Sequence, residues 1–217
     1  MGLDNAKRLI LKKDKQVIRA VKKLPISILG QESFVLFWRG LKQAIDLTVR
    51  IPKSPEDYLY LKAHHLKNIS LEEVRRLFKS FGLFFTEGMI QFPVFYIART
   101  QSEADELKRL FEVENDELKF YERLGELSGF PQTAIKAYGE YLRMGRPTEG
   151  GPLLNIRTGV DVPKEILIQD SATFIQFRLS RDNWREELKT VQKWSDEIKQ
   201  VDPQLHKKLV KALLPIR

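Results

Sequence analysis

Six cations near the start of the chain, Arg8, Lys12, Lys15, Arg19, Lys22 and Lys23, have the spacing of a binding surface. Steps of four, three, four and three put the first five on one side of an α-helix, and Lys23 widens that side by one residue. The chemistry open to such a row is recognition of negative charge. From Arg8 to Lys22 the helical rise amounts to roughly 21 Å, enough to meet several phosphates of one nucleic-acid strand without reading base edges. The opposite side carries Leu3, Ala6, Ile10, Val17, Ala20, Val21 and Leu24, and Asp14, the only acid between Arg8 and Lys23, falls nearer to it. A solvated helix face that keeps the protein in solution is the plainer account of a charged row. Ordinary solvent faces, however, mix both signs at i, i+4, and this one does not.

The wider charge distribution points the same way. Residues 1–53 hold 12 Lys/Arg against 4 Asp/Glu, which is the whole of the formal net charge of +8. The other 164 residues balance at 25 of each sign. Arg39, Lys42, Arg50 and Lys53 therefore stand as candidates to widen the cationic surface.

Other chemistry has little to work with. The absence of cysteine excludes disulfides, thiolate metal sites, iron–sulfur clusters and cysteine nucleophiles. His64 and His65 are adjacent, so on a helix they diverge and make a poor chelating pair, while Tyr60 and His64 have a spacing that packing explains. His206 stands alone. Gly125, Gly129, Gly139, Gly145, Gly150 and Gly151 compose neither a phosphate-binding loop nor a dinucleotide fingerprint. No G-x-S-x-G or H-E-x-x-H is present. The acids Glu103, Asp105, Glu106, Glu112, Glu114, Asp116 and Glu117 are mixed with Lys108 and Arg109. They read as a solvated surface, or as a dock for the basic helix of a second copy. An enzyme would have to draw on carboxylates, Tyr and Lys near the 129–133 turn and on Asp161, and no motif there names a reaction.

The elements that must position these residues are mostly helical. A helix over 4–23 ends before Pro25, and a second is predicted from about Glu32 to Arg50. Ser54-Pro55-Glu56-Asp57 and the capping box Ser70-Leu71-Glu72-Glu73 open two more, the latter closed by Gly82. Strands are predicted over 83–85 and 92–98, on either side of Glu87-Gly88. Further helices span Ser102 to about Phe111, Asn115 to Gly129 and Pro131 to Met144, followed by a Gly/Pro-rich loop over 145–152. Glu165–Gln169 reads as a strand, Ala172–Leu179 as strand or helix, and two helices over about 181–200 and 203–214 close the chain.

The stretch Tyr121–Tyr141, with Leu124-Gly125-Glu126-Leu127-Ser128-Gly129-Phe130-Pro131 at its centre, resembles an uncharacterised prokaryotic family. In that family a Leu-Gly-x-Leu-x-Gly-[Phe/Tyr]-Pro segment runs into paired cysteines, and a His-x-Pro-Cys type of segment comes later. The strand Val94–Ala98 and the Glu- and Leu-rich helix after it are similar too, and the likeness covers roughly residues 70–210. Here Thr133-Ala134 stand where the resemblance implies cysteines, and Asp161 and Lys164 where it implies histidine and cysteine. The resemblance therefore implies a shared frame without ligands or catalysts.

These readings converge on an α+β fold, mainly α, with helices around a small sheet. They divide the chain into a basic helical region, 1–53, and a core domain, 54–217. With 42% hydrophobic residues the chain is long enough to bury such a core, and its longest apolar runs, such as Phe34–Trp38, are far too short for a bilayer. With no secretory leader pattern, the expected location is cytoplasmic. Abundant Lys, Arg and Glu without Cys would suit a thermophile. The function expected is non-enzymatic binding of nucleic acid, DNA or RNA, through Arg8, Lys12, Lys15, Arg19, Lys22 and Lys23, with no cofactor and no metal. The alternatives are an assembly subunit, including a homo-oligomer, whose basic helix docks on an acidic surface, and, less favoured, an enzyme. A membrane partner is disfavoured, because the apolar side of the first helix has no Trp or Phe to anchor in headgroups.

Overall fold

Of the helix expected over 4–23, residues 13–21 form α1 and 22–23 form a turn, while 4–12 lie outside the described residues. The structure, a computed structural model, describes residues 13–52, 54–63, 68–90, 92–146, 151–154, 162–167 and 169–213. Two compact units, Met1–Arg109 and Leu110–Arg217, divide the chain, and the class is α+β, mainly α.

In the first unit, α1 is followed by α2 (Ile28–Trp38), whose N-cap Ser27 accepts a hydrogen bond from the Gly30 amide at 3.0 Å. Gly40, at φ +78, ends the helical run. This corrects the predicted helix to Arg50. Past Gly40 the apolar residues fall at Ile45, Leu47 and Val49, a period of two, and Ala44–Thr48 is a strand, β1. Next come α3 (Pro55–Ala63) and α4 (Leu71–Ser80). The capping box of α4 is formed in both directions, and Gly82, at φ +70, lies just past its end. β2 (Phe84–Met89) and β3 (Pro93–Ala98) make an antiparallel hairpin, and β1 joins the other side of β3, giving the order β1-β3-β2. Glu87 and Gly88 are not the turn. They pair with Phe95 and Val94 inside the ladder, and the chain reverses between Met89 and Pro93.

Since β1 lies before residue 53 and its partner β3 after it, the first 53 residues share their sheet with later ones. Ile45, Leu47, Val49, Phe95 and Ile97 bury one sheet face against Val17 and Val21 of α1, Phe34 and Phe37 of α2, and Val74 and Phe78 of α4. Each fully buried large side chain in this cluster contributes about 2 kcal/mol. Arg99, just past β3, lays its guanidinium 4.2 Å from the Phe37 ring centroid and donates to the Phe37 carbonyl, tying sheet to α2.

The boundary between the units falls within α5 (Gln101–Glu112). In the second unit α6 (Glu117–Leu127), capped by Asp116, packs on α7 (Gln132–Arg143). The two glycines of the Leu-Gly-x-Leu-x-Gly-Phe-Pro element have separate reasons to be there. A Cβ on Gly125 would lie 2.8 Å from Ile135 Cγ1, so the α6–α7 contact needs its absence, and Gly129 closes α6 at φ +71. β4 (Leu153–Leu154) pairs with β5 (Leu179–Ser180). Between them, α8 (Lys164–Leu167) and a 3-10 turn (Asp170–Phe174) replace the strand predicted at Glu165–Gln169. Pro163 starts α8, its carbonyl accepting from Ile166, whose side chain is buried. α9 (Trp184–Val201) and α10 (Pro203–Leu213) end the described chain. Among the described residues no helix is long and apolar enough to cross a membrane.

Candidate nucleic-acid interface

The burial of α1 separates its two sides as the spacing predicts. Val17, Ile18, Val21 and Leu24 are at most 4% exposed, whereas Lys15, Arg19 and Lys23 are exposed. None of these three cations makes an ion pair with a described residue. Lys22 is half-buried. Arg8 and Lys12 lie outside the described residues.

Asp14, the one acid that could have neutralised the row, is turned into the protein. Its Oδ1 accepts from the Trp38 indole N–H at 2.8 Å and its Oδ2 from Arg39 Nη1 at 2.5 Å. A carboxylate satisfied by two donors on α2 and at its C-cap is removed from the surface electrostatics. The same contact corrects the place of Arg39, which is matched to Asp14 rather than free to widen the surface.

Lys42 is a second correction. Its side chain is 5% exposed, and its Nζ lies 3.4 Å from Ser33 Oγ. Burial pushes its ammonium down to about 8, against the opposing pull of Glu32 and Asp46. Arg50 is exposed and sits 5.9 Å from the Phe92 ring centroid, while Lys53 lies outside the described residues.

Tertiary packing adds a cation that spacing along the chain could not disclose. Lys23 of the first helical segment and Arg76 of α4 line one groove of about 520 Å³, with Ser80 and the apolar Leu24, Ile69 and Leu77. Arg76 is exposed and makes no ion pair with a described residue. The acid lining this groove, Glu73, directs its carboxylate to the N-terminus of α4, where it accepts from the Ser70 amide at 2.8 Å. The signal for Arg76 lay in α4 itself, a helix whose Val74 and Phe78 are buried and whose Arg76 and Lys79 are exposed. Its adjacency to α1 is a matter of the fold.

Several acids of the stretch 103–117 already have partners within the fold. Glu103 accepts from the Thr100 amide and hydroxyl at 3.0 and 2.9 Å, Asp105 from Gln101 at 2.9 Å, and Glu117 pairs with Arg146. Asp116 caps α6 through the amides of Leu118 and Lys119, and those hydrogen bonds hold its carboxyl below the usual range.

Two buried polar clusters in the second unit resemble catalytic arrangements and are better explained by packing. Ser195 on α9 lies 3.0 Å from His206 Nε2 on α10, with the Phe174 ring stacked 5.0 Å from the imidazole. Both residues are under 9% exposed, so a substrate would have to part the two helices to reach them. Burial, then the charge of Lys199, lowers the His206 pKa, and Asp170 and Asp196 oppose that shift. Glu187, 1% exposed, accepts from Thr133 Oγ1 and Ser180 Oγ at 2.7 Å each and from the Ser180 amide at 2.8 Å. It joins α7, β5 and α9. His64, His65 and Asp161 lie outside the described residues. Among the described residues no group of three or more His, Asp or Glu is placed to hold a metal ion.

Together these features describe a mainly α, α+β protein with a cationic helix face and a neighbouring cationic groove. No protein-family model, curated protein or solved structure matches the chain.

Proposed function

We propose that this protein binds nucleic acid without catalysing a reaction, laying α1 along the phosphate backbone. The observation that carries this reading is the exposure of Lys15, Arg19 and Lys23 without carboxylate partners among the described residues, while Asp14 is consumed inside the protein. Lys15 to Arg19 covers about 6 Å of helical rise and Lys23 follows in the turn after α1, so the row can reach two or three phosphates. Arg76, across the groove from Lys23, extends the surface sideways. Recognition of this kind supplies affinity rather than sequence preference, since point charges meet phosphates and not base edges.

The test is the salt dependence of binding to a labelled duplex and a labelled RNA hairpin, followed by fluorescence anisotropy. If the full row engages duplex DNA, log Kobs falls with log salt at a slope near −4 or −5, about −0.9 for each phosphate contacted. Replacing Lys15, Arg19 and Lys23 together by Gln flattens the slope by about 3. An unchanged slope removes α1 from the interface, and no binding at about 50 mM salt refutes the reading.

A further inference from the structure

β2 is an edge strand, and the register of the sheet identifies which of its backbone groups point away from β3. The Val49 amide donates to the Pro93 carbonyl at 2.9 Å, so the backbone groups of Pro93, Phe95 and Ile97 face β1. Those of Val94, Tyr96 and Ala98 then face β2, and the Ile90 amide, donating to the Phe92 carbonyl at 3.4 Å, keeps that alternation. Opposite Val94, Tyr96 and Ala98 lie Gly88, Thr86 and Phe84, whose backbone groups are spent on β3. The amides and carbonyls of Phe85, Glu87 and Met89 face outward. Among the described residues one hydrogen bond reaches that side, from the exposed Gln101 Nε2 to the Phe85 carbonyl at 3.4 Å. Phe84, on the same sheet face as Thr86 and Gly88, is 48% exposed.

We infer that β2 pairs with β2 of a second copy, antiparallel about a two-fold axis at Thr86. Residues standing opposite each other must share a sheet face, so the registers that use most of β2 centre on Thr86 or on Glu87. Centring on Glu87 sets two carboxylates against each other, which is unfavourable. Centring on Thr86 sets threonine against threonine and lays Phe84 over Gly88 of the second copy, on both sides of the axis. An aromatic ring beside a cross-strand glycine covers backbone that would otherwise stay wet. Phe85 and Glu87 of the second copy then exchange the outward hydrogen bonds, two for each pair, and Gln101 releases the Phe85 carbonyl. Glu87 keeps its two 2.7 Å hydrogen bonds from Arg75 of α4. A foreign strand could use the same amides, but β2 itself supplies the glycine that Phe84 covers, and the pairing closes a bare edge in an isologous dimer. This inference does not rest on the nucleic-acid reading.

The experiment uses the full chain, treated with nuclease, in sedimentation at about 0.5 M salt, where contacts between exposed charges are screened. The wild type is expected to reach a dimer by about 100 μM, and Phe84→Ser to weaken it about tenfold. Thr86→Lys, which sets two ammonium groups across the axis, is expected to be monomeric. The chain has no cysteine, so Thr86→Cys gives a clean second readout. In this register the two Thr86 Cα atoms lie about 4.5 Å apart, within disulfide reach, and mild oxidation should link the copies. Phe84→Cys, about 13 Å from its own equivalent, should stay unlinked. A wild type that remains monomeric overturns the inference, as does a dimer seen only at low salt, which assigns association to the charged surfaces. A dimer that survives Thr86→Lys, or linkage of Phe84→Cys as ready as that of Thr86→Cys, overturns it as well.

Discussion

The buried lysine of the first unit, Lys42, makes a prediction with a definite sign. Lys42 is 5% exposed and its pKa falls from the ordinary 10.5 to about 8, mainly because burial strips the ammonium of water. A shift of that size is worth about 3 kcal/mol of preference for the neutral form, at 1.36 kcal/mol per unit. Because the folded value lies below the unfolded one, the folded molecule binds fewer protons between about 8 and 10.5. Stability contributed by this group is therefore least below pH 8 and rises with pH across that window.

Replacing Lys42 alone would strand Glu32, which is fully buried, so the informative variant is Lys42→Met/Glu32→Gln. At pH 7 it is expected to match or exceed the wild type, by about 1–3 kcal/mol, as exchange of a buried ionic pair for neutral groups commonly does. Urea unfolding of both proteins at steps from pH 7 to pH 10 provides the assay, and taking their difference cancels the titration of the other lysines and tyrosines. The difference should shrink as the pH climbs through the window above. A difference that stays constant over that range, or a variant less stable than wild type by several kcal/mol throughout, would refute the reasoning.

Glu187→Ala should destabilise the second unit by about 3 kcal/mol or more, since the Thr133 and Ser180 hydroxyls and the Ser180 amide all lose their acceptor; chemical unfolding measures it, and Glu187→Gln should cost less. The folded pKa of His206 is lowered, so its neutral form is the one the fold accepts. Its contribution is present in full above the ordinary value near 6.5 and is lost as pH falls from there through the lowered folded value, a slope that should disappear from the unfolding free energy of His206→Gln.

Helix starts and stops were readable from local chemistry because their physics is local. The Ser70–Glu73 box satisfies amides within three residues of itself, and Gly82 and Gly129 adopt the left-handed conformation next to the helices they close. Elements whose identity depends on what lies across the core were not. Ile45 and Val49 continue the helical spacing of Phe34, Phe37, Trp38 and Leu41, while Ile45, Leu47 and Val49 also alternate at a period of two, and pairing with β3 over five residues decides for the strand. The true reversal at the hairpin is hidden because Glu87-Gly88 has turn chemistry yet lies in the ladder opposite Val94 and Phe95.

The cationic row shows the same division. Spacing along one helix is enough to place Lys15 and Arg19 opposite Val17 and Val21, because the helical period is an intrinsic property of the backbone. Whether each charge meets water or a partner is a different question, answered by residues remote in the chain. Trp38 and Arg39 take Asp14 inward, packing of α2 beside β1 buries Lys42, and α4 brings Arg76 to the groove that Lys23 lines. Desolvation and pairing depend on the full set of neighbours in three dimensions, and no periodicity within a single segment encodes them.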